Sequence, residues 1–134
     1  MRLKYLLDTN ICIYIAKKKS ETLLKKFEKL AVGEIGISVI TFGELLYGAK
    51  KSHFPVQAHE KLIELTTLIP VLHLTSDIAE HYGDIREKLE KKGKPIGNND
   101  LWIAAHARSL KVSLLTNNVK EFNRVPDLHL ENWI

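Results

Sequence analysis

The stretch Leu6-Leu7-Asp8-Thr9-Asn10 decides the fold of this chain. Residues 4–7 form a short, largely apolar run that predicts a strand with Asp8 at its carboxyl end, and residues 11–15 predict a helix that follows at once. An acid at the carboxyl end of a strand in an open α/β sheet faces the crevice where such folds bind ligands. The stretch also permits a plainer interpretation, in which Asp8, Thr9 or Asn10 only caps the following helix.

Length and composition favour one ordinary globular domain. The chain has 134 residues, of which 45% are hydrophobic and 27% charged. No apolar run approaches the ~18 residues that a membrane helix needs, and no hydrophobic leader is recognisable at the amino end. The single cysteine, Cys12, cannot form an internal disulfide, which fits a reducing compartment. We therefore predict one cytoplasmic domain, residues 1–134, without a membrane span.

The charge is moderately basic, with a formal net charge of +4 at pH 7. This excess favours an anionic partner without identifying it. Many of the lysines fall in four groups, at 17–19, 25–29, 50–51 and 88–94. Most such groups are solvated helix faces, and they indicate a binding site only where several of them border the same cleft.

Short strand patterns alternate with helical patterns along the chain. Strands are predicted at 4–7, 35–39, 69–74 and 112–116, with a short edge strand near 128–130. This alternation predicts an α/β fold in which a parallel sheet carries helices on both faces. The helix predicted over 101–107 is apolar nearly all round and should be buried.

Four acids share one position in this pattern, because each follows a strand or lies in the first turn of a helix. They are Asp8, Glu44, Asp100 and Glu121. Strand ends of one kind meet at one edge of a parallel sheet, so these acids could converge. Each also has a structural interpretation: Thr41-x-x-Glu44 fits a capping box, Asp100 complements a helix dipole, and Glu121 fits an ordinary surface acid.

Converging carboxylates would have a chemical consequence. Within ~4–6 Å of one another, at least one of them should have a strongly raised pKa unless a cation neutralises the group. A site made only of oxygen atoms suits Mg²⁺ or Mn²⁺ better than Zn²⁺. The chemistry that such a site supports is metal-assisted hydrolysis of a phosphodiester, with nearby lysines contacting phosphates.

Four segments, in this order and spacing, resemble PIN-domain ribonucleases and in particular the VapC toxins of bacterial type II toxin–antitoxin pairs. The segments are LLDTN (6–10), SVITFGELLYGA (38–49), PIGNNDLWIAAHA (95–107) and LTNNVKEF (115–122). The resemblance implies a Mg²⁺-dependent endoribonuclease, with Mn²⁺ as a substitute ion. It implies a three-layer α/β/α sandwich around a central, mainly parallel sheet.

The resemblance also implies roles for individual residues. Asp8, Glu44 and Asp100 match the acidic triad of the family, with Asp8 and Asp100 as direct metal ligands. Glu121 matches a fourth acid of some members, whereas other members carry that acid closer to Asn118.

The same resemblance implies which residues orient the acids and which partners the protein binds. Thr116 and Asn118 correspond to side chains that orient water or a neighbouring acid by hydrogen bonds. Family members form homodimers and are inhibited by a VapB antitoxin whose segment covers the acidic site. Their substrate is RNA, and some closely similar toxins cut initiator tRNA in the anticodon stem-loop.

Three other functions remain open from the residues. A phosphatase or receiver domain with a nucleophilic aspartate would also place Asp8 at the end of the first strand, but the phosphatase needs a second acid where Asn10 stands. A non-catalytic interaction module would keep the acids as helix caps and bind no metal. A DNA nuclease would use the same chemistry, and contacts to the 2′-hydroxyl would distinguish it. We expect His106, on the buried helix, to be a hydrogen-bonded core residue rather than a general base.

Overall fold

The computed structural model describes residues 2–17 and 20–134. Lys18 and Lys19, from the first lysine group, and Met1, from the predicted domain, lie outside these ranges. The strands are β1 (Tyr5–Leu7), β2 (Ile35–Ser38), β3 (Val71–Leu72), β4 (Ser113–Leu115) and β5 (Leu130–Glu131). The helices are α1 (Thr9–Ala16), α2 (Glu21–Glu28), α3 (Val39–Lys50), α4 (Pro55–Leu68), α5 (Ser76–Lys91), α6 (Asn98–Leu110) and α7 (Val119–Phe122).

The five strands form one parallel sheet in the order β3-β2-β1-β4-β5. β1 lies at the centre and pairs with β2 on one side and with β4 on the other. Since all strands run in the same direction, the residues that follow β1, β2 and β4 meet at the carboxyl edge of the sheet. The predicted α/β class and parallel sheet are confirmed.

Alternating side chains of the strands build one core on each face of the sheet. Leu6 and Leu114 pack on one face with buried residues of α5, α6 and α7. Leu7 and Leu115 pack on the other face with residues of α1 and α2. Near the carboxyl terminus, Trp133 covers this second core, and its ring contacts those of Tyr5 and Phe27. The three-layer α/β/α sandwich is therefore confirmed.

The observed boundaries of two helices and one strand differ from the predicted ones. The sequence predicts that a helix begins at Thr41, but α3 begins at Val39 with Ser38 as its N-cap. The capping-box interpretation of Thr41 and Glu44 is therefore wrong. The polar sequence before the buried helix predicts a turn over 96–100, and this is wrong beyond Gly97, because Asn98 to Asp100 form the first turn of α6. The predicted strand 69–74 contracts to Val71–Leu72. Its later start agrees with Pro70, which lacks the N–H that a ladder extended in that direction would need.

The buried helix predicted over 101–107 is confirmed within α6. The residues of α6 that are buried are Leu101, Ile103, Ala104, Ala105, His106 and Ala107. Cys12 is fully buried, and burial raises the pKa of its thiol to about 12, so it is an unreactive core residue. Within the described ranges, no helix is long and apolar enough to cross a bilayer.

α7 is a single helical turn, and one side chain anchors it. Phe122 is fully buried in the core that α5 and α6 share, and its neighbour Glu121 projects from the same short helix. The position of Glu121 at the carboxyl edge of the sheet therefore depends on the burial of Phe122.

Replacing Phe122 by alanine should lower the free energy of unfolding by about 3–5 kcal/mol, because it removes a buried ring and leaves a cavity. Urea denaturation followed by circular dichroism measures this change. Phe54→Ala is the matched control, since Phe54 is 67% exposed and its loss should cost less than about 0.5 kcal/mol. Equal effects of the two substitutions would show that Phe122 does not anchor α7.

Candidate active site

Asp8 is the buried centre of the site at the carboxyl edge of the sheet. Its side chain is only 4% exposed. Oδ1 accepts a hydrogen bond from the backbone N–H of Thr9 at 2.8 Å, and Oδ2 accepts one from the Thr116 hydroxyl at 2.9 Å. The plainer interpretation is thus correct in part, because Asp8 is the N-cap of α1. The cap does not explain the burial of the whole carboxylate or its bond to a residue 108 positions away.

Thr9 connects Asp8 to the second acid. Its hydroxyl donates to Glu44 Oε1 at 2.7 Å, while its backbone N–H donates to Asp8. The hydroxyl of buried Thr41 lies 3.3 Å from that of Thr9. Glu44 therefore points from α3 towards α1 and the end of β1. It has no capping role at the start of its own helix, which the Ser38 side chain caps.

A second chain of hydrogen bonds leads from Asp8 to the acid on α7. The Thr116 hydroxyl, which donates to Asp8, accepts from the backbone N–H of Asn118 at 2.9 Å. The side-chain amide of Asn118 donates to Glu121 Oε2 at 2.8 Å. The loop after β4 thus orients one carboxylate through a threonine and another through an asparagine. Thr116 thus contacts Asp8, and Asn118 contacts Glu121.

Asp100 completes the group from the first turn of α6. Burial raises the pKa of Asp100 to about 6, and the negative charges of Asp8, Glu121 and Glu44 act in the same direction. A hydrogen bond to Glu121 adds to this increase because it favours the protonated form of Asp100. The structure therefore brings together all four acids that the sequence pattern singled out.

Burial also raises the pKa of Asp8 above its ordinary value. The hydrogen bonds from Thr116 and Thr9 oppose this increase, whereas the charges of Glu44 and Glu121 add to it. Within residues 2–17 and 20–134, the charged neighbours that perturb the pKa of Asp8 and Asp100 are all carboxylates. The site consequently carries uncompensated negative charge, which a bound cation would neutralise.

The donor set fits a hard divalent cation. Each Asp8 oxygen accepts one of the hydrogen bonds described above, which leaves each a lone pair directed elsewhere. Across residues 2–17 and 20–134, no three His, Cys, Asp or Glu side chains are already arranged as a metal cluster. Mg²⁺ commonly binds through only one or two carboxylates and completes its coordination shell with water and substrate. Four nearby acids that form no ready-made three-ligand cluster are therefore compatible with a Mg²⁺ site.

Two residues behave differently from the sequence prediction. The sequence pattern indicates only a capping role for Thr9, whereas in the structure its hydroxyl donates to Glu44. The available signal is the position of Thr9 in the first turn after Asp8. His106 is a core residue, 1% exposed, but Nδ1 has no hydrogen-bond partner among the described residues, so the prediction of a hydrogen-bonded histidine is wrong for that atom. Burial lowers the pKa of His106 to about 4, so its imidazole is neutral at pH 7.

Comparison with known proteins agrees with this geometry. Residues 5–128 match the family model of the PIN domain. The chain is 43% identical over 132 residues to ribonuclease VapC2 of Haemophilus influenzae, covering 98% of this chain and 99% of that protein. It is 41% identical over 131 residues to the tRNA(fMet)-specific endonuclease VapC of Shigella flexneri, covering 98% of each.

A solved structure has the same fold. The crystal structure of VapBC2 from Rickettsia felis, bound to a DNA fragment from its promoter, superposes with a TM-score of 0.92 at 41% identity, over 98% of this chain and 100% of that one. The chain therefore belongs to the PIN-domain family and, within it, to the VapC ribonucleases. This membership removes the phosphatase and receiver alternatives. PIN-domain ribonucleases generally depend on a divalent metal.

Repulsion within the site predicts that neutralising one acid stabilises the metal-free protein. The pKa of Asp100 is about 6 in the folded state and about 3.9 in an unfolded chain, so the folded state gives up stability as the pH rises through 6. In EDTA at pH 7.5, Asp100→Asn should raise the free energy of unfolding by about 1 kcal/mol, a value reduced for partial solvent screening.

Thermal unfolding in EDTA at pH 7.5 and pH 4 measures this difference, which should nearly vanish at pH 4. Asp127→Asn is the control, since Asp127 is exposed and asparagine also accepts its positive φ of 59°. A wild-type protein as stable as Asp100→Asn at pH 7.5 would contradict the proposed repulsion.

Proposed function

We propose that this chain is a Mg²⁺-dependent endoribonuclease toxin of a type II toxin–antitoxin pair. The observation that carries the proposal is the convergence of Asp8, Glu44, Asp100 and Glu121 at one edge of the sheet, without a compensating cation among the charged groups that perturb Asp8 and Asp100. Carboxylates that repel one another lower the stability of the fold when no cation neutralises them. Such clusters occur mainly at functional sites, and metal binding explains why these four acids lie together.

Asp8 and Asp100 are the proposed metal ligands. A divalent cation held by these two carboxylates would lower the pKa of a bound water and offset negative charge on the phosphodiester. Mg²⁺ is the proposed ion because the donors are all oxygen, and Mn²⁺, with similar ligand preferences, is expected to substitute for it. A zinc site is disfavoured because the four acids include no histidine or cysteine partner.

The remaining polar residues orient the acids. Thr116 holds Asp8 through Oδ2 and so limits the directions in which that carboxylate can point. Thr9 holds Glu44, and Asn118 holds Glu121. We assign Glu44 and Glu121 to hydrogen-bonding water or substrate at the site. Glu121 is proposed as the fourth acid, and Asn118 as the residue whose amide orients it.

RNA is the proposed substrate, and initiator tRNA is the first RNA to test. The Haemophilus relative is named a ribonuclease and the Shigella relative a tRNA(fMet)-specific endonuclease. Each is more than 40% identical to this chain over nearly its whole length. We place the cut in the anticodon stem-loop and the reaction in the cytoplasm, where tRNA is found.

A VapB-type antitoxin is the proposed protein partner, and a homodimer is the proposed assembly. The Rickettsia structure is a VapBC2 complex, and one of its chains has the fold of this chain. In this chain, α3, α4 and the loop between them expose several large apolar side chains, which supports burial by another protein. These side chains are Tyr47, Phe54, Val56 and Leu68, which are 59–68% exposed.

Asp8→Asn and Asp100→Asn should each reduce RNA cleavage to the background of the assay while leaving the fold intact. Purified protein is incubated with initiator tRNA and Mg²⁺, and the RNA ends are mapped, with elongator methionine tRNA and a DNA copy of the stem-loop as competing substrates. Asp127→Asn is the matched control and should cleave as wild type does. Metal-dependent cleavage retained in either site variant would refute the assignment.

We expect Thr9 to contribute to RNA cleavage by orienting Glu44, not by contacting the substrate. Thr9→Val removes the hydroxyl that orients Glu44, so the cleavage rate should fall about 10–100-fold, mainly in kcat. Thr9→Ser keeps the hydroxyl and should restore most of the activity. If Thr9→Ser is as impaired as Thr9→Val, the methyl group and its packing matter instead of the hydrogen bond.

A further inference from the structure

A basic pocket lies beside the acidic site, where the end of α5, the loop 92–97 and α7 come together. The cavity has a volume of about 320 Å³. Its lining residues are Leu89, Lys92, Lys94, Lys120, Asn123 and Arg124. Two members of the lysine-rich stretch at 88–94 thus border the same cavity as Lys120 and Arg124, which belong to none of the four lysine groups. Among the described residues, one lysine group, not several, borders this cavity, so its significance depends on the contacts that the structure shows.

The charge of this basic pocket is not compensated by nearby acids. Its four cations are absent from every side-chain ion pair found among the described residues. Neighbouring cations behave differently, since Lys88 and Arg86 both pair with acids on α5. Lys92, Lys94 and Lys120 are exposed, and Arg124 is half-buried. A concave surface with four unneutralised cations is suited to a polyanion.

The basic pocket and the acidic site share their supporting backbone. Lys120 directly precedes Glu121 on α7, and the backbone N–H of Arg124 donates to the Glu121 carbonyl at 3.1 Å. The Arg124 guanidinium also donates to the Pro95 carbonyl at 3.1 Å, just before Gly97, the N-cap of the helix that carries Asp100. The two sites are therefore adjacent and are held in a fixed relation.

We propose that the basic pocket binds a backbone phosphate of the RNA strand next to the bond that is cut. The proposal rests on the proposed ribonuclease function and deepens it. Four carboxylates repel a polyanion, so the enzyme needs cations close by that hold the strand without occupying the metal site. Phosphate contacts fix the position of a nucleic acid without reading its sequence.

The side chains of the pocket are chemically suited to this role. Arg124 uses one N–H on Pro95, which orients its planar guanidinium and leaves further donors for a phosphate oxygen. The lysines provide flexible point charges around it. The Asn123 amide adds a neutral donor at the cavity wall. We therefore assign these residues to substrate binding, so their loss should raise KM more than it lowers kcat.

The test compares two double variants that lose the same charge. Lys94→Gln with Lys120→Gln removes two cations from the basic pocket. Lys29→Gln with Lys111→Gln is the control, because each of these residues lies between the end of a helix and the start of a strand, at the opposite edge of the sheet. Binding of a fluorescein-labelled, single-stranded RNA of mixed sequence is measured by anisotropy in EDTA at several salt concentrations.

Loss of two phosphate contacts should reduce the slope of log K against log salt by about 1.4, since each contact to a single strand contributes about 0.7. The control pair should leave the slope close to the wild-type value. With Mg²⁺, the pocket variant should show a raised KM for RNA cleavage and a nearly unchanged kcat.

The outcomes distinguish a failure of the basic-pocket proposal from a failure of the ribonuclease proposal. If wild type cuts RNA but the pocket variant keeps the wild-type slope and KM, the pocket proposal is wrong and the ribonuclease assignment stands. Equal losses in the pocket and control variants would also overturn it, since they indicate non-specific attraction. If wild type neither binds nor cuts RNA, both proposals fail together.

Discussion

The repulsion among carboxylates at the carboxyl edge of a parallel sheet is the constraint on which the site depends. Asp8 is almost completely buried, and its charged neighbours are other acids. The fold tolerates this arrangement because hydrogen bonds from Thr9 and Thr116 hold the Asp8 carboxylate, and because Asp100 retains a proton more readily than an exposed aspartate does. Such a site is unfavourable alone and becomes favourable when a cation enters it.

The convergence of acids at the carboxyl edge of the sheet could be predicted from the sequence, because strand ends and a parallel strand direction can be inferred from local patterns. Asp8 follows β1, and Glu121 follows β4 after a short polar loop, so a parallel sheet must bring them near each other. The fold class followed from the alternation of strand and helix patterns, and the burial of α6 followed from a sequence that is apolar nearly all round. The prediction for Glu44 was less complete, since a capping box at Thr41 explained it equally well until the structure showed Thr9 as its partner.

Features that depend on packing between distant elements could not be predicted in this way. The unpartnered Nδ1 of His106 depends on which groups surround α6 in the folded core, and no local pattern records them. The basic pocket combines Lys92 and Lys94 with Lys120 and Arg124, across some 25 residues that include all of α6 and β4. The chain belongs to the VapC ribonucleases, and the basic pocket beside its acidic site is the proposed contact for a substrate phosphate.

The location of a bound divalent cation tests the central claim most directly. Crystals of the metal-free protein soaked in MnCl₂ and measured for manganese anomalous scattering would locate the ion without relying on activity. The account predicts an anomalous peak in contact with the carboxylates of Asp8 and Asp100. A saturated soak that gives no peak there, or a peak bound only by acids elsewhere on the surface, would contradict the claim that this edge of the sheet is a metal site.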